Sequence, residues 1–366
     1  MQSGFAPPRL ALLLALAASA ACGDDPAQGQ GGGGGQGGAY EPPDATKSKQ
    51  EPPAFTVGGF SVALPPTILA PGDETHPCFI APLELLGPSK VVGGGQMTTT
   101  KGMHHGNITA RPKTGEGFRS CPPDESQISG EADDVLAGGT VLFGSTTQYE
   151  GTEWRVFPDG MGFPIGDDWE IVFRMHYLNT TPEPLELAPA YEWYTIDEAK
   201  VTHLLGPFIW VYSGFEIAPH SALTVEASCA APQSMHIVSV MPHMHKLGRR
   251  CYAGLSNGAP GDTSGALFLD TPGYNPDGLI AMYDPPVDVS QAGGFRYGCT
   301  WQNTFDKPIV EGVGDNEMCM LFGYAYPYEN ALSAYASGGG ACITLRPPPP
   351  GGGVGQPGAG GAGGAN

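Results

Sequence analysis

The strongest constraint on the fold is the length of the apolar runs. They are short, rich in β-branched and aromatic residues, and broken every few residues by Gly, Pro, Asn or Asp. The chain has 56 glycines and 37 prolines in 366 residues, so turn signals are never far apart. No segment holds a 3.6-residue apolar period long enough for a stable amphipathic helix. The runs Phe55–Leu64, Thr140–Phe143, Trp169–Tyr177, Pro207–Phe215, Ala222–Ala227, Met235–Met241 and Met320–Tyr326 have strand length. Strands of this size between turn signals predict an all-β sandwich or jelly roll. No internal repeat of fixed period is visible.

The ends differ from the middle. Residues 1–22 have the form of a secretory signal: Arg9, an apolar run from Leu10 to Leu16, then small residues up to Ala21 and Cys22. The apolar run is too short to span a bilayer. Small residues before a cysteine resemble a bacterial lipobox, in which Cys22 would carry the lipid; simple cleavage near Ala21 is the alternative. Residues 23–53, with Gly31 to Gly35, predict a disordered Gly/Pro-rich tether, and residues 347–366 a disordered Pro/Gly tail. Between them the chain is long enough for two domains, 54–203 and 204–346. With 17 basic against 37 acidic residues the formal charge is −20. That balance excludes a nucleic-acid partner, which needs a basic footprint, and leaves a lipid at Cys22 as the route to a membrane. The expected location is the periplasmic, outer-membrane or cell-surface side of a bacterial envelope, and oligomeric state is not legible.

Export also predicts disulfides. Apart from Cys22 there are seven cysteines: Cys78, Cys121, Cys229, Cys251, Cys299, Cys319 and Cys342. An odd number leaves one thiol over, and connectivity is open at this point.

Five histidines stand in three compact settings: Met103-His104-His105-Gly106, Arg174-Met175-His176-Tyr177, and Met241-Pro242-His243-Met244-His245. On a strand, side chains at i and i+2 share a face, so His243 and His245 can hold one ion. The adjacent pair His104 and His105 can do so only where the strand bends, which the flanking Gly102 and Gly106 would permit. Each setting alone is also compatible with ordinary surface or core histidines. The segment Asp315-Asn316-Glu317-Met318-Cys319 adds a thioether. Two imidazoles with a thioether suit copper, and sulfur favours Cu(I). Zinc sites draw on Cys, His and carboxylate instead.

The order HH, a strand bearing MHY, HxH followed by Leu-Gly, and then NEMC resembles the type II copper, ascorbate-dependent monooxygenases. That family includes peptidylglycine α-hydroxylating monooxygenase and dopamine β-hydroxylase. The resemblance covers about residues 55–345. It implies two tandem jelly-roll β-sandwich domains facing each other across a solvent-filled cleft. It also implies two copper ions: an electron-supplying one on His104, His105 and His176, and an oxygen-activating one on His243, His245 and Met318. The implied disulfides are Cys78–Cys121, Cys229–Cys342 and Cys299–Cys319, leaving Cys251 free.

The resemblance further implies hydroxylation of an sp³ C–H bond of a small organic substrate by O2, with ascorbate or a similar reductant as co-substrate. The chain departs from the peptide-amidating branch where that branch grips its substrate. Met241 stands in place of an Arg, and Met320 and Phe322 in place of Asn and Tyr. These three predict an apolar substrate pocket and argue against peptidylglycine. Gly106 replaces the Met that usually follows the HH pair. The competing readings are a non-catalytic copper storage or delivery lipoprotein, and a jelly-roll adhesin or carbohydrate-binding module with incidental histidines.

Overall fold

The computed structural model describes residues 45–347, apart from 124–133, 135–137, 146–149, 232–233, 274–279, 313–314 and 339–340. The signal segment, Cys22, most of the tether and the tail from residue 348 lie outside the described residues. The regular structure is β throughout, with three short 3-10 turns among the described residues.

Two mainly antiparallel sandwiches of the jelly-roll type follow one another along the chain. In the first, one six-stranded sheet has Val91–Thr99 and Ala190–Ile196 at its middle; the facing six-stranded sheet is centred on Met103–Pro112 and Trp169–Leu178. In the second, a seven-stranded sheet carries His236–His243, Met320–Tyr326 and Gly206–Ser213, opposite a four-stranded sheet with Gly248–Ser256 and Gly294–Gln302. Alternation explains the layers. On Trp169–Leu178, Ile171, Phe173, Met175 and Tyr177 point into the first core, while Glu170, Val172, Arg174 and His176 take the other face.

The first core runs from Phe60 to Leu205, with Val238 and Met282 from the second half packed on it. The second starts at Phe208 and holds Trp210, Phe295, Tyr297 and Trp301. Trp210 stacks on Phe295, with ring centroids 4.0 Å apart and planes within 8° of parallel.

Several strands were hidden in the sequence by glycine. In Val91–Thr99 a Cβ on Gly94 would lie 2.7 Å from the Arg155 carbonyl, and one on Gly95 2.7 Å from the Trp193 ring. These glycines allow close packing inside a strand; they are not turns.

Residues 45–53 depart from the tether assignment. Ala45–Thr46 pairs with Ala281–Asp288 of the second half. Ser48 and Lys49 bond to Val156 and Asp159 of the first. This segment is docked on both halves because its backbone and side-chain groups find partners there.

Cys78–Cys121, Cys229–Cys342 and Cys299–Cys319 are disulfide-bonded, the pairs that the resemblance implies. They fit an oxidising, extracellular or periplasmic compartment. Cys251 is a buried thiol, 3.8 Å from the Cys299 sulfur. No helix among the described residues is long and apolar enough to cross a membrane.

Candidate metal centre

The first histidine set comes from one strand pair. Met103–Pro112 and Trp169–Leu178 run antiparallel, with His105 opposite His176 and Asn107 opposite Arg174. The register then slips, so that Tyr177 faces Met103 and His104 is an extra residue. An inserted residue of this kind re-aims its side chain, and neighbours can then converge. Ring centroids lie 4.4 Å apart for His104 and His176, 4.9 Å for His105 and His176, and 5.2 Å for His104 and His105. One ring nitrogen from each falls within 4.8 Å of the others.

The bend predicted from the flanking glycines is therefore a register slip, with Gly102 at φ +100° beside it. Gly106 has a different task. A Cβ there would lie 2.5 Å from the methyl of Met175, the residue directly across the strand pair. The neighbouring strand's methionine fills that space.

Ion pairs brace the same sheet face. Arg174 contacts Asp134 at 2.7 Å, and Arg111 spans Asp134 and Glu170 at 3.0 Å each. Breaking one partner of such a buried group leaves an uncompensated charge. The strands that carry His105 and His176 are thus cross-linked by more than their backbone ladder.

The second set is built differently. The strand His236–His243 ends at His243, so His245 is not the i+2 neighbour on a continuing strand that its spacing predicts. Its place is fixed by the 315–319 segment. Glu317 is fully buried and accepts from the His245 N–H at 2.8 Å, the Leu247 N–H at 2.7 Å and the Trp301 indole at 2.9 Å. Burial pushes its carboxyl above the usual range, and these donors oppose that shift. His245 Nδ1 lies 2.7 Å from the Asn316 carbonyl. A carbonyl only accepts, so Nδ1 carries the proton and Nε2 keeps its lone pair for a metal.

His243 and His245 are perpendicular, 5.2 Å between centroids. Met318 is buried in the chain between Glu317 and the disulfide-bonded Cys319. Its backbone thus leads directly from the residue that anchors His245 to the strand that starts at Met320, opposite His243.

The two sets are contiguous. The rings of His105 and His243 lie 5.9 Å apart. At the histidines the two halves meet, and a small, largely apolar cavity of about 50 Å³ lies beside them between the halves. Val141, Phe143 and Arg155 line it from the first half, Met241, Phe322 and Tyr324 from the second. Met241 pairs with Phe322, and His243 with Met320, so all four share one sheet face. Of the three pocket residues expected from sequence, Met241 and Phe322 line the cavity; Met320 belongs to the adjoining apolar cluster instead. The Phe322 ring is 6.3 Å from that of His243. The charge of Arg155 is compensated by Glu153 and by a bond to the Gly144 carbonyl at 2.8 Å.

Burial and mutual repulsion favour the neutral imidazole at His104, His105, His176 and His243. His104 is lowered to about 4, by burial first and the His176 charge second, and His243 to about 3, by burial first and His245 second. His105 and His176 are lowered too, again chiefly by burial. Neutral imidazole is the ligating form, so five imidazoles with one thioether fit copper in both oxidation states.

Sequence reasoning missed three residues. Glu317 lies inside the Asp315–Cys319 motif, whose pattern points only to Met318. Glu74 and His76 flank His176: Glu74 Oε1 lies 2.7 Å from His176 Nε2, and the His76 ring stacks on it at 4.1 Å. The Glu-x-His spacing was their only signal.

No protein-family model matches this chain, and no curated protein matches its sequence. Among solved structures it is similar to the STIV MCP, at 9% identity and a TM-score of 0.34, over 74% of this chain and 97% of that one. It is also similar to PNGase F, a glycosylasparaginase from Flavobacterium meningosepticum. That match has 9% identity and a TM-score of 0.31, over 78% of this chain and 100% of that one. Similarity at this level says nothing about what the histidines do.

Proposed function

We propose that this chain is an exported copper-dependent monooxygenase that hydroxylates an sp³ C–H bond of a small, mainly apolar organic molecule. The co-substrates are O2 and an ascorbate-like reductant. The observation that carries this reading is the juxtaposition of the His104/His105/His176 cluster with the His243–His245 pair, beside an apolar cavity. His104, His105 and His176 would hold one copper, and His243, His245 and Met318 the other. When bound, the two coppers supply the one-electron steps and the oxygen chemistry that no side chain here can perform.

The protein's own part is positional. Asn316 fixes the proton of His245 on Nδ1. Glu317 ties the His245 and Leu247 N–H groups to the Met318 segment. The close approach of His105 to His243 gives a short ring-to-ring path between the sets. Met241 and Phe322 line the cavity wall on the sheet face that also carries His243. With Arg155 compensated by Glu153, that wall favours a neutral substrate over a carboxylate. A lipid on Cys22 would tether the enzyme to the envelope.

Oxygen uptake by copper-loaded protein with ascorbate tests the reading, across phenethylamines, glycine conjugates and small apolar molecules. Substrate-dependent uptake with a hydroxylated apolar product is expected. Stable binding of two coppers without product on any substrate would favour the alternative, a copper storage or delivery lipoprotein. The continuous histidine cluster is the observation on that alternative's side.

A further inference from the structure

Glu74 and His76 have no part in either copper set, yet both are built against a residue that does. The short strand Glu74–Thr75 pairs with the end of the His176 strand, Thr75 opposite Tyr177 and Glu74 opposite Leu178. The segment is fixed on both sides. Asn179 donates to the Asp73 carbonyl and Met175 to that of Pro77, and Cys78 is disulfide-bonded to Cys121. Glu74 and His76 are two residues apart, so they share a side of the chain. That side meets His176, where Glu74 Oε1, one ring nitrogen of His76 and one of His176 lie within 4.8 Å of one another. Glu74 and His76 are exposed, while His176 is half-buried.

We propose that Glu74, His76 and His176 form a solvent-facing Cu(II) loading position for the inner set. The inference deepens the reading that His104, His105 and His176 hold copper, and rests on it. Two imidazoles and a carboxylate match a divalent oxidised cation; the added hard oxygen disfavours Cu(I). His176 belongs to both triads. An ion caught outside therefore reaches the inner set by exchanging two ligands, Glu74 and His76 for His104 and His105, without leaving the third. The oxidation state does not change in this transfer. Because the triads share His176, the outer position adds no copper to the fully loaded protein. A purely structural role is the competing account: Glu74 would only orient His176, and His76 would only cover it.

Cu(II) alone is the probe. In the full chain carrying His104→Ala and His105→Ala, the inner set is removed while the outer triad remains. That variant is expected to hold one more equivalent of Cu(II) than the one that also carries Glu74→Gln and His76→Ala. Its electron paramagnetic resonance spectrum should show mixed nitrogen and oxygen coordination. Equal stoichiometry in the two variants overturns the proposal. A second measurement avoids any folding defect from the inner substitutions. Glu74→Gln with His76→Ala in the otherwise native chain should slow Cu(II) uptake by about tenfold, within the range for removing groups that support a ligand. The final stoichiometry and Cu(I) affinity should be unchanged. Unchanged uptake overturns the proposal as well. Copper loading without oxygen turnover would defeat the monooxygenase reading and leave this one standing.

Discussion

The two histidine sets solve the same problem by different means. His105 and His176 are cross-strand partners, and a register slip adds His104. Their geometry is a property of two long strands, braced by Arg111, Arg174, Asp134 and Glu170. His243 closes a strand, but His245 lies beyond it and is held by one buried carboxylate and one carbonyl from a segment about 70 residues away. A ladder distributes its support over many hydrogen bonds, whereas the Glu317 anchor concentrates it in three. The second set is therefore the more vulnerable to a single remote substitution.

The largest expected effect tests whether the sets are unequal in function. His243→Ala should abolish substrate-dependent oxygen uptake while one copper remains bound. His104→Ala should also stop turnover, with the copper on His243, His245 and Met318 retained. Loss of both coppers from either variant would show that the contiguous cluster behaves as one site.

Glu317→Gln addresses the concentrated anchor. It places an amide N–H₂ among three donors and removes a charged acceptor, at a cost of roughly 2 kcal/mol. A drop of several degrees in Tm is expected, with copper affinity at the second set down about 10–100-fold. Glu74→Gln, at an exposed position, should leave Tm within about a degree. Similar thermal shifts in both would erase the contrast between the two sets.

Met318→Ala should weaken Cu(I) binding by about tenfold more than Cu(II) binding, measured by competition with chelators for each oxidation state. Equal losses would remove the thioether from the ligand set.

The metal-free protein should lose stability in acid, with a sign fixed by the lowered histidines. The unfolded chain takes up protons as pH falls through about 6.5. Folded His104 resists until about 4 and folded His243 until about 3. Stability contributed by the neutral imidazoles is therefore present above 6.5 and falls between 6.5 and those values. Thermal melts of the metal-free chain across that window check it, and bound copper should flatten the slope.

The smallest effect concerns Cys251. Burial pushes its thiol up to about 12, so a thiol reagent should leave Cys251 unlabelled in the native protein and modify it only after unfolding.

Much of this was legible from local pattern. The seven strand-length runs correspond to strands, because β-branched and aromatic residues between turn signals have few other ways to be buried. Strands such as Val91–Thr99 were not legible, since Gly94 and Gly95 imitate a turn until the neighbours packed on them are known. For the ligands, spacing suggested that His243 and His245 could act together, although the strand periodicity offered as the reason fails at His245. Glu317 was hidden for an opposite reason: a Glu beside an Asp and an Asn reads as a solvated turn, and only its burial under Trp301 and Leu247 gives it a role.

The sequence by itself determined the fold class, the candidate histidine and methionine motifs and the apolar character around Met241 and Phe322. These depend on residue chemistry and short-range period, which the chain carries locally. Only the tertiary structure decided which histidines meet, that the two sets touch through His105 and His243, and that Glu74 and His76 lie against His176. The contacts between strands join residues about 70 or more positions apart. Strand register and sheet packing bring them together, and neither has a local signature.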